Sequence, residues 1–415
     1  MALIVQKFGG TSVGTPQRIK NVAVRVAKWQ KGGHRVVVIV SAMAGETNRL
    51  FSLISDITEK HVDSEIDVIA ATGEQVTIGL LSLALKQLGV QARSFTGWQI
   101  PVKTDGKYTK ARIVNIAADK IFQETSKNIV PVIAGFQGID DLNKINTLGR
   151  GGSDTSAVAI AAAIGADECQ IFTDVDGVYT TDPRVVKSAR LLKKITFEEM
   201  LEMASLGSKV LQLRSVEFAG KYRVKLRVLS SLTDPNCTLQ NEAKSGTLIT
   251  YEEDINMEKA EVSGIAFNKD EAKVTIVGVP DEPGVAFKIL EPVASANIEV
   301  DVIVQNVGRD GTTDFSFTVP QKDLAKTIDT LQDVSKEIRA REIIGDDKIC
   351  KVGLVGVGMR SHVGIASKMF KALSNQNINI KMISTSEIKI TVVIDEDLMD
   401  SAAQILHETF GLDKQ

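Results

Sequence analysis

Cysteine is scarce: the 415 residues hold three, Cys169, Cys237 and Cys350, dispersed and outside any CxxC pair. That pattern argues against a disulfide framework or a structural zinc site and fits ordinary thiols in a reducing compartment. The four histidines, His34, His61, His362 and His407, show neither HExxH nor HxH spacing, so neither a histidine-held metal nor a histidine-based triad is expected. A surplus of positive charge is missing too. Lys+Arg 49 stand against Asp+Glu 52, a net charge of -3 with the signs mixed along the chain, which leaves no basic stripe to neutralise a nucleic-acid backbone. Long apolar runs are absent: stretches such as Val36 to Val40 fall far short of the roughly 20 residues a membrane helix needs. The start, MALIVQKFGG, has no basic region and no cleavage-like site. The expectation is a soluble, cytoplasmic chain of roughly two to four domains, with no nucleic-acid or membrane partner.

What is present is an alternation of short β-branched runs with helix-period segments. Ala2 to Phe8, Arg35 to Ser41, Ile129 to Phe136, Cys169 to Asp174 and Val224 to Ser230 are continuous apolar runs of strand length, as strands buried on both faces require. Between them, Gln17 to Lys31 puts Ile19, Val22, Ala23, Val26 and Ala27 on one helical face. Ser153 to Ile164 is Ala-rich with polar residues at its start. The alternation predicts an α/β unit over residues 1–245, a mainly parallel sheet sandwiched by helices. A polar stretch, residues 246–264, reads as a linker and edge strand.

The remainder contains a repeat. Lys273 to Val279 (KVTIVGV) matches Lys351 to Val357 (KVGLVGV), and Asn297-Ile298 matches Asn377-Ile378. Each copy reads as a small ferredoxin-like βαββαβ unit, the first over residues 265–340 and the second over 341–415.

Four loops carry the chemistry. Lys7-Phe8-Gly9-Gly10-Thr11-Ser12 ends the first strand, where open parallel sheets bind ligands. Its glycines admit an anion to backbone N–H groups, and a helix start follows. No GxxxxGK[ST] occurs, so this is not a Walker A loop; the plain alternative is a glycine-rich turn with a solvated lysine. Ser41 to Asn48 (SAMAGETN) ends another strand in small and hydroxyl residues. Leu148 to Thr155 (LGRGGSDT) opens the Ala-rich helix, and its Arg150 is suited to a bidentate grip on a carboxylate. Asp154 in that loop would repel phosphate unless it orients nearby lysines; its alternative is simple helix capping. The third glycine of a dinucleotide fingerprint is replaced by Asp154, so a Rossmann reading fails. Thr173 to Arg184 (TDVDGVYTTDPR) is polar, with an aromatic, carboxylates and an arginine. It suits a nucleotide better than calcium, because Tyr179 occupies the place of the EF-hand glycine.

KFGGTSVG, SAMAGETN, ATGEQ, GRGGSDTSA and FTDVDGVYTTDPR, in this order and followed by two ferredoxin-like repeats, closely resemble the aspartate kinases of the amino acid kinase family. The resemblance spans essentially the whole chain, although pieces such as KxGG are shared with glutamate 5-kinase and acetylglutamate kinase. It implies paired ACT domains at the C-terminus and, because the chain stops after the second repeat, no fused homoserine dehydrogenase. It further implies that Lys7 and Lys209 stabilise the transferring phosphoryl group, with Asp154 organising them. Gly9, Gly10 and Ser41 would contact phosphate, and Thr173, Asp174, Tyr179, Asp182 and Arg184 would form the rest of the ATP site. Thr47, Glu74 and Arg150, with Gly151, Gly152 and Ser153, would hold L-aspartate. Effectors of this family, lysine or threonine or both, bind between ACT domains. That implies Asp281, Gly284, Ala286, Ile298 and Gln305, with Asn379 and Ile380, for a threonine-type site, and His362 and Ser386 for a lysine site. A homo-oligomer joined through the ACT domains follows, as does an internal start at Met257 that yields a separate regulatory subunit in some relatives.

The chemistry of such a transfer needs no histidine or cysteine. A substrate β-carboxylate, with an ordinary pKa of about 4, is already ionised and requires no general base. Catalysis is then positioning plus neutralisation of ATP by lysines and by Mg2+ carried mainly on the nucleotide. The alternatives are a kinase of glutamate or acetylglutamate and, in a different class, a catalytically silent amino-acid sensor.

Overall fold

The computed structural model describes residues 1–59, 62–208, 210–254, 262–307, 311–357, 359 and 364–414. Lys209, Met257 and His362 lie outside the described residues. The chain divides into two compact units.

In the first unit, local sequence sets each element. Helix Pro16–Lys31 starts where Thr15 accepts a hydrogen bond from Arg18 N at 3.2 Å and Pro16 pre-sets the first turn. Its apolar stripe, Ile19, Val22, Ala23 and Val26, is buried in one core with Phe8, Val38, Leu81 and Phe172; each buried isoleucine or valine of the stripe contributes about 1.5–3 kcal/mol relative to exposure. Strands Leu3–Phe8 and Arg35–Val40 are almost wholly buried, as expected of strands covered on both faces.

The sheet has eight strands, in the order Lys194–Thr196, Thr247–Thr250, Leu226–Ser230, Glu168–Thr173, Leu3–Phe8, Arg35–Val40, Val130–Ala134 and Ala92–Phe95. Leu3–Phe8 lies between parallel neighbours reached in opposite directions along the sheet. That is the switch point at whose carboxyl end a crevice opens. Thr247–Thr250 is not a linker or an edge. It runs antiparallel to Leu226–Ser230 and parallel to Lys194–Thr196, so the sheet extends beyond residue 245. A separate four-stranded sheet, Ile113–Ile116, Val102–Thr104, Gln137–Ile139 and Ile145–Thr147, was not foreseen. Its strands are three or four residues long and carry no readable period.

Helices Ser64–Ala70 and Thr72–Gln87 are together long and apolar enough, by length and composition, to cross a membrane. Their inner face, with Ile78, Leu81 and Leu85, packs into the core.

The second unit holds a six-stranded antiparallel sheet, in the order Ile303–Val307, Thr312–Pro320, Gly264–Pro280, Glu342–Val355, Lys389–Asp395 and Met382–Thr385. Its two long central strands are shared, which corrects the cut into residues 265–340 and 341–415. The end of Gly264–Pro280 pairs with Glu342–Gly345 in the first repeat, while its beginning, residues 264–268, pairs with Lys351–Val355. The second repeat thus takes its fourth strand from ahead of the first. Each repeat keeps its own core, one around Ile289, Phe315 and Leu331 and the other around Met369, Val392 and Leu406.

Residues Tyr179–Arg190 and Ser205–Ser208 belong to this second unit as well. Ile265 N donates to Thr180 O at 2.7 Å, and Thr180 Oγ1 meets His407 Nε2 of the last helix at 2.9 Å, both side chains fully buried. The segment that sequence reading joined to the nucleotide loop is therefore anchored in the repeats.

Candidate active site

Three loops converge at the carboxyl end of the central strands of the first unit. Lys7 is the penultimate residue of Leu3–Phe8, buried, and its Nζ is ion-paired to Asp154 Oδ1. A Cβ on Gly9 would lie 3.5 Å from that ammonium, so the glycine leaves the space over Lys7 open. Among the described residues Asp154 is the sole partner of Lys7, and an ammonium has three protons to donate. Asp154 sits in the first turn of helix Gly152–Ala163, whose start has no side-chain cap. Its carboxylate is ion-paired to the lysine instead of capping the helix.

The backbone ties the loops together. Ala44 N donates to Gly10 O at 3.2 Å, and a Cβ on Gly10 would press on Ala42 O at 3.1 Å. Ser41 Oγ and Ser153 Oγ are 2.8 Å apart, which joins the second loop to the third. On the far side of the sheet's centre, Gly9 N donates to Phe172 O at 3.2 Å, while Ser12 Oγ bonds to Ser231 Oγ at 2.8 Å. Ser231 Oγ donates to Thr173 O at 2.9 Å. Ser231 had no motif to mark it; only its place just past Leu226–Ser230 makes it part of the crevice.

Glu74 lies in the first turn of Thr72–Gln87, 3% exposed. Ala42 N donates to its Oε1 at 2.9 Å, and its Oε2 has no partner among the described residues. Burial pushes its pKa up to about 7, against the opposing pull of that backbone donor. A buried carboxylate with a free oxygen is poised for a cation. Thr47 lies half-buried in the first turn of helix Glu46–Ser55, which begins at Gly45, φ +82°.

Arg150 is exposed and has no ion-pair partner among the described residues. It is flanked by Gly149 at φ +75° and Gly151 at φ +72°, conformations costly for any other residue. A Cβ on Gly151 would run into the Gln212 side chain. Gly152 opens the helix and Ser153 follows. The site thus offers a guanidinium, a buried carboxylate and a lysine–aspartate pair, a set that matches a small zwitterion beside a polyanion.

The other predicted nucleotide residues divide between the units. Thr173 and Asp174 belong to the first, with Thr173 Oγ1 bonded to Asp174 Oδ1 at 3.1 Å. Tyr179, Asp182 and Arg184 belong to the second, where Arg184 Nη2 pairs with Asp182 Oδ2 at 2.6 Å. That pair holds the Asp182 carboxyl below its ordinary range. Lys209 falls outside the described residues. Among the described residues no cluster of three His, Cys, Asp or Glu could hold a metal ion, and Asp154 is taken up by Lys7. This donor set fits a divalent cation that arrives on a nucleotide rather than one caged by the protein.

In the second unit, Asp281 N donates to Gly311 O at 3.1 Å, and Gly284, φ +93°, starts helix Val285–Ser295, which contains Ala286. Gln305, on edge strand Ile303–Val307, and Asn379 are exposed. Ile298 is buried in the first repeat's core, and Ile380 packs against the second's. Ser386 Oγ accepts from Lys389 N at 3.2 Å, so it serves the hairpin turn into Lys389–Asp395. His362 lies outside the described residues.

Comparison with known proteins bears on all of this. The model of the amino acid kinase family matches residues 2–230, and two ACT-domain models match residues 273–336 and 352–410. An aspartate kinase of Stutzerimonas stutzeri is 60% identical over 413 residues, covering 100% of this chain and 98% of that protein. An aspartokinase of Pseudomonas aeruginosa is likewise 60% identical over 414 residues, with the same coverage. The crystal structure of E. coli aspartokinase III in complex with lysine and aspartate is 25% identical, with a TM-score of 0.73, covering 98% of this chain and 99% of that one.

Proposed function

The chain belongs to the amino acid kinase family, among its aspartate kinases with C-terminal ACT domains, and from that premise we propose how its crevice carries out the transfer from ATP to L-aspartate. The reaction moves the γ-phosphoryl group onto the β-carboxylate, giving 4-phospho-L-aspartate. The observation that carries the reading is the Lys7–Asp154 pair beside Gly9, tied through Ser41 and Ser153 to the loop that also binds Glu74.

Each group then has one task. Lys7 places its ammonium against the transferring phosphoryl oxygens, where charge develops. Asp154 fixes that ammonium in position. Arg150 takes the α-carboxylate of aspartate bidentately, and the free oxygen of Glu74 takes the α-ammonium. Held at both ends, the substrate presents its β-carboxylate, already ionised and in need of no base, for in-line attack. Lys209 would add a second cation, and Thr47 a hydroxyl. Mg2+ riding on ATP supplies further neutralisation of the phosphates. The first step towards lysine, threonine and methionine is the place of such a product in metabolism.

The ACT repeats support a second part of the reading, feedback inhibition by lysine, threonine or both, in a cytoplasmic homo-oligomer. E. coli aspartokinase III has been crystallised with lysine, and the exposed Gln305 and Asn379 with the Asp281–Gly284 loop supply polar groups suited to an amino acid's charged ends.

The test is hydroxamate trapping of the acyl phosphate formed from ATP and L-aspartate, with and without lysine, threonine and both. Turnover with aspartate is expected, with loss of rate on adding an effector. Turnover only with glutamate or acetylglutamate would keep the fold and overturn the substrate. No turnover with any amino acid would favour a silent sensor.

A further inference from the structure

Arg150 is exposed, yet the loop that carries it is held from beneath by two side chains that no motif marks. The first is Asp67, on helix Ser64–Ala70, with no solvent exposure. Its Oδ2 accepts from Thr147 N at 3.0 Å and from Thr109 N at 3.0 Å, and its Oδ1 accepts from Thr147 Oγ1 at 2.6 Å. Thr147 ends strand Ile145–Thr147, three residues before Arg150. Thr109 stands at φ +62°, a rare conformation for a β-branched residue. A carboxylate that accepts from two segments at once is what keeps it there.

The second is Arg214, on helix Leu213–Lys221. Its Nη1 donates to Leu148 O at 2.9 Å and its Nη2 to Ala111 O at 2.9 Å. It has no carboxylate partner among the described residues. The planar fork therefore spans the same two strands of chain, residues 109–111 and 147–148, as Asp67 does from the other helix. Ala111 N donates to Thr147 O at 2.9 Å between them. Gly149 closes the arrangement: a Cβ there would lie 3.0 Å from Thr109 O.

We propose that Asp67 and Arg214 form a brace that positions Arg150 for the substrate carboxylate, and that both are positioning residues for aspartate binding in the kinase reaction. The proposal rests on the reading of Arg150 as the carboxylate grip. A bidentate contact depends on the direction of a long side chain, and the direction is set where its backbone leaves the strand. The brace fixes that point through the backbone groups of Thr147 and Leu148 on one side and of Thr109 and Ala111 on the other. The ATP loops at Gly9 and Ser41 receive no bond from either residue, so nucleotide binding should not follow.

The experiment measures KM for aspartate and for ATP, and kcat, in Arg150→Ala, Asp67→Ala, Asp67→Asn and Arg214→Met, with Tm for each. Arg150→Ala is the reference. Asp67→Ala and Arg214→Met are expected to raise aspartate KM at least about tenfold while ATP KM stays within about twofold. Asp67→Asn should recover most of the loss, because an amide can still accept from Thr109 N and Thr147 N with its oxygen and donate to Thr147 Oγ1. Should Asp67→Ala fail to fold, Thr147→Val removes one of the bonds with less disturbance and carries the same expectation at reduced size. If Arg150→Ala raises aspartate KM but Asp67→Ala and Arg214→Met lower only Tm, the brace is refuted and the carboxylate grip stands. An equal rise in both KM values refutes it too. If Arg150→Ala leaves aspartate KM unchanged, the grip itself falls and the brace with it.

Discussion

The two units each bury a lysine in a β-strand, and put it to opposite use. Lys7 lies at the carboxyl end of the central parallel strand, beside a glycine, with one carboxylate for company. Lys351 lies within the long strand Glu342–Val355 of the antiparallel sheet, 1% exposed. It is ion-paired to Glu271 at 2.6 Å and to Asp301, and Glu271 is in turn bonded to Asn268 Nδ2 at 2.9 Å. A parallel sheet directs all its strand ends, with their loops and helix starts, to one edge. A cation placed there keeps donors free for a ligand. An antiparallel sheet offers no such common edge, and the lysine buried in it is surrounded by its own counter-charges. Burial and charge therefore do not mark a functional lysine; unspent donor capacity at a topological switch does.

The sharpest way to break this comparison is to remove both ammonium groups. Lys7→Ala should lower kcat by about 10³-fold with a modest change in aspartate KM, since it deletes a charge that acts in the transition state. Steady-state kinetics at saturating ATP would show it, and an unchanged kcat would dissolve the distinction. Lys351→Met should do the reverse. It leaves Glu271 buried without its cation, which costs about 3–5 kcal/mol of stability by denaturant melts of the second unit. Its kcat should stay within about twofold. Adding Glu271→Gln should return part of the lost stability, because the orphaned charge goes with it.

Much of this arrangement is legible in the sequence. The strands of five or six buried residues were marked by unbroken β-branched runs, and the loops after them by glycines next to hydroxyl residues. Lys7, Arg150 and Asp154 could be named as candidates from that alone, whereas Ser41 came with the resemblance. Glu74 could not, because a single glutamate at a helix start is by default a solvated one; resemblance supplied it. Asp67 was illegible for the same reason, and its partners, Thr147 on a three-residue strand and Thr109 in a turn, gave no periodic signal. The interleaving of the repeats escaped because a pairing of residues 264–268 with 351–355 leaves no trace in either segment's own pattern. The attachment of Thr180 to His407, 227 residues away, is of the same kind.

The second unit's function should then sit with exposed polar groups at the sheet's edge and not with its buried ions. Gln305→Ala is expected to raise the effector concentration for half-inhibition about tenfold, the scale of one or two lost hydrogen bonds. Inhibition curves with lysine, threonine and both would read it. An unshifted curve in this variant alongside a shifted one in Lys351→Met would reverse the comparison inside the second unit.

The smallest expected effect tests the carboxylates in the same terms. Glu271 has its cation, whereas Glu74 has a backbone donor on one oxygen and no partner among the described residues on the other. With its pKa pushed up to about 7, Glu74 in the free enzyme is mostly neutral below that pH and mostly ionised above it. Only the ionised form attracts the ammonium of aspartate, so aspartate KM should fall as pH rises through 7 and level off above it. Between about pH 6 and about pH 7.5 the ionised fraction grows roughly eightfold, and the KM should change by the same factor. The stability linkage has the opposite sign. A carboxyl whose pKa is raised on folding holds its proton longer in the folded state, so its contribution falls as pH climbs from 4.5 towards 7. Glu74→Gln should abolish both slopes, leaving aspartate KM high and flat. A KM that rises with pH in this range, or a slope that survives in Glu74→Gln, would mean that the free oxygen of Glu74 is not where the substrate's ammonium binds.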